Sequence, residues 1–164
     1  PLFSGGIMAA YSVISRCIIA ALKDAGVDSD YSRGASIGDR SEACFNSPSR
    51  YEVLIHGRKL VGSAQRRLKR AFIQHGSILM DIDEELNQRV FGAGVSSRMA
   101  GIEEFSSAGR AELTGFLAER FAEGLAAKFS LSGLTEEEAK ARDALAASCV
   151  VVPARGSEKA AARG

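Results

Sequence analysis

Ala43-Cys44-Phe45-Asn46-Ser47-Pro48-Ser49-Arg50-Tyr51-Glu52-Val53-Leu54-Ile55-His56-Gly57-Arg58-Lys59-Leu60-Val61-Gly62-Ser63-Ala64-Gln65 is the stretch that decides the fold, together with Gln74-His75-Gly76-Ser77 just beyond it. Cys44 sits among turn formers, where a backbone leaving a loop presents a side chain to a ligand. The apolar run over 51–55 predicts a strand, and His56-Gly57 the tight turn that reverses it. The returning segment carries Lys59 and then Gly62, Ser63, Ala64 and Gln65, too small or polar for an ordinary core strand. Such residues let a ligand approach the backbone closely. A third strand is predicted over 71–80, interrupted by His75-Gly76-Ser77.

Taken singly, these residues have two readings each. Gly62 and Ser63 suit a donor pair facing a carbonyl or a phosphate, and equally a bulge in a sheet. Lys59 just past a turn reads as a solvated lysine or as a cation at a site. His75 reads as a general base or as a satisfied structural histidine.

Their order carries more than any one of them. Gly57-Arg58-Lys59-Leu60-Val61-Gly62-Ser63-Ala64-Gln65 followed by Gln74-His75-Gly76-Ser77 resembles the signature of the biotin/lipoate protein ligase superfamily, in its lipoate ligase and octanoyltransferase branch. Ala43-Cys44-Phe45 ahead of the lysine resembles the cysteine-dependent octanoyltransferases of that branch. The resemblance implies that Cys44 is the acyl-carrying nucleophile and that Gly62, Ser63, Ala64, Gln65, His75, Gly76 and Ser77 bind the acyl group. A thiol of reference pKa about 8.5 is mostly protonated at neutral pH, so a cation near the sulfur favours the thiolate. Lys59 is the candidate, and the same cation would stabilise the carbonyl oxygen as it gains charge.

The implied reaction moves octanoyl from an acyl carrier protein to a lysine of a lipoyl domain, with no cofactor and no metal. Two alternatives stand beside it: an ATP- and magnesium-dependent lipoate ligase in which Cys44 is incidental, and a non-catalytic relative that binds carrier or lipoyl domains. Arg66, Arg67, Lys69 and Arg70 form a dense basic cluster. Strand alternation would point Arg66 and Arg70 one way, Arg67 and Lys69 the other. The cluster suits docking of acidic carrier and lipoyl domains, or a solvated edge blunted by charge. It lacks the aromatic interleaving expected for nucleic acid.

Working outward, helical spacing of Ile7, Ala10, Tyr11, Ile14, Ile18, Ala21, Leu22 and Ala25 predicts a first helix, capped near Ser4 and stopped by Gly26. Cys17 reads as a small buried hydrophobe. Residues 28–41 lack periodicity and read as an exposed connection or a lid. A short helix with an acidic first turn is expected over 83–91, then a connection anchored by Met99, Ile102 and Phe105. A long helix over 110–129 turns Leu113, Phe116, Leu117, Phe121, Leu125 and Phe129 inward. A last helix to Ser148 starts at Thr135, with Glu138 completing a capping box. Residues 150–152 read as a final strand or a segment on the core, and 153–164 as a disordered tail.

These elements make an α+β domain, a mixed but largely antiparallel sheet with packed helices, over residues 1–152. The resemblance implies a further N-terminal part of the sheet, with an Arg- and Gly-rich segment, so the chain is expected to be the C-terminal portion. Lys and Arg number 21 against 20 Asp and Glu, a net charge of +1 that gives no global pull on nucleic acid or anionic membrane. Cys17, Cys44 and Cys149 are three cysteines in different contexts, which argues against a disulfide framework and for a reducing, cytoplasmic setting. No membrane-spanning run is expected.

Overall fold

The chain was studied as a computed structural model, which describes residues 6–32, 52–69 and 71–149. Two compact units divide it, Pro1–Phe129 and Ser130–Gly164. The first holds a four-stranded sheet in the order β1-β2-β3-β4, from Asp30–Tyr31, Val53–Ile55, Arg58–Arg67 and Phe72–Ile78, with every neighbouring pair antiparallel.

Helix α1 (Gly6–Asp24) buries Ala10, Ser15, Cys17, Ala21 and Leu22. It ends as its sequence requires: Gly26 takes φ +80°, while the Gly26 and Val27 amides donate to the Lys23 and Leu22 carbonyls. By length and composition α1 is apolar enough to cross a membrane, which corrects the expectation that no such run exists. Its inner face belongs to the core here, where Leu22, Ala25 and Val27 meet Val53, Ile55, Leu60 and Val61.

Helix α2 (Glu84–Phe91) is capped by Asp83, whose carboxylate accepts from the Leu86 amide at 2.8 Å. The connection after it makes two 3₁₀ turns, Ser96–Arg98 and Ile102–Glu104, and buries Met99, Ala100 and Ile102. Helix α3 (Arg110–Gly124) presses Leu113, Phe116 and Leu117 on the same core. It stops five residues short of the sequence reading, and Phe129 is exposed rather than inward. In the second unit, α4 (Glu136–Ser148) has the expected capping box: Thr135 Oγ1 accepts from the Glu138 amide, and Glu138 Oε2 from the Thr135 amide.

Two strand expectations are corrected. Strand β1 lies in the stretch read as irregular, because a two-residue edge strand is held by backbone bonds and needs no side-chain pattern; the Ser32 amide donates to the Glu52 carbonyl at 2.7 Å just beyond it. His75-Gly76-Ser77 do not interrupt β4 but pair with Ala64, Ser63 and Gly62 in an unbroken ladder. Glycine fits there because a strand interior can put backbone against backbone: a Cβ on Gly76 would sit 2.6 Å from the Gly62 oxygen. The expected strand or segment at 150–152 and the tail lie outside the described residues.

Candidate active site

His56 and Gly57 both adopt positive φ, 48° and 76°, the conformation of a tight two-residue hairpin turn. The hairpin then departs from a regular ladder: Leu54 pairs with Lys59 but Val53 with Val61, so β3 carries one extra residue there. Without it, alternation would place Lys59 and Gly62 on opposite faces of the sheet. With it, Glu52, Lys59, Gly62, Ala64, His75 and Ser77 all share one face.

That face encloses a cavity of about 270 Å³ lined by Glu52, Lys59, Gly62, Ser63, Ala64, His75, Gly76 and Ser77. Lys59 is only 3% exposed, so the reading of a solvated lysine past a turn is overturned. Its Nζ donates to Glu52 Oε1 at 2.8 Å in a buried ion pair. The lysine backbone is fixed as well: its carbonyl accepts from the Ala100 amide at 3.0 Å, and Lys59 bridges to Met99. Arg58 clamps the same segment, its guanidinium 2.7 Å from Glu104, donating to the Met99 carbonyl and lying over the Phe105 ring. That guanidinium holds the Glu104 carboxyl below the usual carboxylate range.

Of the nine expected catalytic and binding residues, seven meet at this cavity. Gln65 does not, since its pairing with Gln74 puts it on the opposite face, where its Nε2 donates to Gln74 Oε1 at 2.8 Å. On that helix-side face a second cavity of about 260 Å³ lies between Ile14 and Ile18 of α1, Leu117 and Phe121 of α3, and β3 and β4. Cys44 lies outside the described residues, as does Arg70. Arg66, Arg67 and Lys69 are exposed at the tip of the β3–β4 hairpin. Lys69 does not continue a strand alternation, because β3 ends at Arg67. Among the described residues no three His, Cys, Asp or Glu side chains gather as a metal site.

Glu52 is the residue sequence reasoning missed. Its signal was one acid in the apolar run from Tyr51 to Ile55, seven positions before a lysine across a turn. Chemically, the cavity offers a fixed ammonium, small walls with accessible backbone and an imidazole, which suits a carbonyl group with an apolar tail.

Residues 2–129 match the family of the lipoyl protein ligase A/B catalytic domain. The octanoyltransferase LipM of Kyrpidia tusciae is 36% identical over 166 aligned positions, covering 90% of this chain and 61% of the relative. That of Bacillus subtilis is 38% identical over 92 positions, 52% of this chain and 33% of the relative. The chain thus spans only part of the length of these relatives. Among solved structures, a lipoate-protein ligase A bound with ATP superposes with TM-score 0.72 at 19% identity, over 85% of this chain and 54% of that one. A bi-partite lipoate protein ligase from Thermoplasma acidophilum, described with its E2 lipoyl domain, gives TM-score 0.62 at 18% identity, over 85% and 54%. These two share the fold. With most of its length matching that family's model, and with Lys59, Gly62-Ser63-Ala64-Gln65 and His75-Gly76-Ser77 standing in the order of the signature, the chain belongs to the lipoyl protein ligase A/B catalytic domain family.

Proposed function

We propose that this chain carries the acyl-transfer centre of an octanoyltransferase, which moves octanoyl from an acyl carrier protein to the lysine amine of a lipoyl domain. The observation that supports it best is the buried Lys59 ammonium at the wall of a cavity otherwise built of Gly, Ser, Ala and His. Cys44, as thiolate, attacks the octanoyl thioester; the carrier's sulfur leaves and takes up a proton. The acceptor amine then attacks the Cys44 thioester, forming the amide, releasing a proton and returning the thiolate. Lys59 donates to the carbonyl oxygen in both tetrahedral intermediates. A cavity of this size suits a medium-length acyl chain, since engineered cavities of about 150 Å³ already admit benzene. The sequence needs no cofactor for this chemistry, and its cysteines fit the cytoplasm. The exposed Arg66, Arg67 and Lys69 face the solvent as a docking surface for acidic carrier and lipoyl domains, with Arg70 beside them in sequence.

Intact-mass spectrometry after incubation with octanoyl-carrier protein tests the reading, run beside Cys44→Ser and beside a sample given lipoate and ATP. A hydroxylamine-labile octanoyl adduct that requires Cys44 is the expected result. An adduct that remains hydroxylamine-labile in Cys44→Ser, or transfer that appears only with ATP, would refute it.

A further inference from the structure

The Glu52–Lys59 pair is set apart from the other ion pairs described. Arg58–Glu104, Arg120–Asp24, Arg120–Glu123 and Arg142–Asp143 all have side chains exposed by a quarter or more, whereas Lys59 and Glu52 are exposed by only 4% and 7%. Stability gives no reason for such a pair, because two well-packed apolar side chains would serve as well or better in its place. Its location gives one: both partners line the cavity of small residues.

A lysine head sits on a flexible four-carbon stem, and a donor stabilises a developing oxyanion only if it is already in place. Glu52 supplies that constraint. It stands one residue before β2, where its own carbonyl accepts from the Ser32 amide, so its backbone is tied into the sheet edge. The extra residue in β3 turns Lys59 to the same face, and Nζ meets Oε1 at 2.8 Å. The carboxylate's field also reaches Tyr11 of α1, whose phenol is pushed up chiefly by burial and further by the Glu52 charge.

We propose that Glu52 is a positioning residue of the transfer reaction, acting through Lys59: its carboxylate holds the ammonium at the cavity wall so that an acyl carbonyl meets it in one fixed orientation. The proposal rests on the reading that Lys59 polarises that carbonyl, and the test separates the two.

Octanoyl transfer from octanoyl-carrier protein is measured for the wild-type protein, Glu52→Gln, Glu52→Asp, Lys59→Met and the Glu52→Gln/Lys59→Met double variant, with thermal melting of each. Glu52→Gln keeps the size of the side chain and loses its charge; kcat is expected to fall about tenfold to a hundredfold, the cost of a misplaced group. Its KM for the carrier should stay within about threefold, since carrier binding is not what the pair provides. Glu52→Asp restores part of kcat, and adding Glu52→Gln to Lys59→Met costs nothing more. If Lys59→Met is inactive while Glu52→Gln, or the better-folding Glu52→Asp should the former not fold, turns over at the wild-type kcat, the positioning role is overturned and the Lys59 role stands. Full activity in Lys59→Met overturns both.

Discussion

Replacing Gly76 by alanine should damage stability and transfer together. An added Cβ would lie 2.6 Å from the Gly62 carbonyl oxygen, 3.1 Å from Ser63 Cβ and 3.3 Å from Ser63 Cα. Ordinary contact begins near 3.4 Å, so the carbonyl must retreat by about 0.8 Å. It belongs to the β3–β4 ladder, in which Gly62 pairs with Ser77 and Ser63 with Gly76, and neither strand has slack there. Overpacking of this kind costs about 1–3 kcal/mol. For a chain of this length each kcal/mol lowers Tm by about 2–4 °C, so the melting point should fall by about 2–12 °C. The same ladder is the wall of the Lys59 cavity, and a shift approaching 1 Å at a reacting group costs up to about a hundredfold in rate. Thermal melting by circular dichroism and octanoyl transfer are the assays. Gly133→Ala is the control, because nothing lies within 4 Å of a Cβ placed there and the residue is exposed outside any helix or strand. A Gly76→Ala protein that melts with the wild type and keeps its turnover would refute the close approach of the two strands.

Two further outcomes concern how α1 meets α3. A Cβ on Gly124 would collide with the Cys17 sulfur, so Gly124→Ala should destabilise by about 1–3 kcal/mol and Cys17→Ala should recover part of that, giving non-additive melting points; strictly additive shifts would dismiss the contact. Asp24 accepts from Arg120 Nε and Nη2 at 2.5 and 2.9 Å, and that hydrogen bonding holds its carboxyl below the usual range. A depressed carboxylate stabilises above its unfolded value of about 3.9 and ceases to as pH falls through the folded value, so the Tm gap between wild type and Asp24→Asn should be level at neutral pH and close below about pH 4. Parallel Tm curves down to pH 2 would show that the pair contributes nothing.

The helices were legible because their signals are local. The three- and four-residue spacing of Ala10, Ile14, Ile18 and Leu22, the glycine stop at Gly26 and the Thr135–Glu138 box each lie within a few turns of chain, and the structure has all of them. The last five residues read into α3 were overread for the same reason: apolar spacing continues to Phe129, but the helix ends at Gly124 and Ala126 takes a positive φ of 48°. Strand β1 was invisible since its only statement is a pair of backbone bonds to a partner more than 20 residues away.

The site divides along a similar line. Which residues gather at it was readable, for Gly62, Ser63, Ala64, His75, Gly76 and Ser77 are small or functional in positions where a core strand would be apolar. How they gather was not. Counting along β3 by twos puts Lys59 with Val61, Ser63 and Gln65, the set that faces the helices, and would leave an ammonium in the apolar core beside Val53 and Val61. One additional residue in the hairpin reverses that assignment for Lys59 and leaves Gln65 behind on the helix side. A bulge of this kind is a property of two strands together, since the register of β3 exists only against β2. The single glutamate just before the partner strand is therefore the nearest thing to a local trace of it: with the bulge, the lysine turned to the cavity face finds its counter-charge at 2.8 Å, and without the bulge the two charges would lie on opposite sides of the sheet and could not pair with each other.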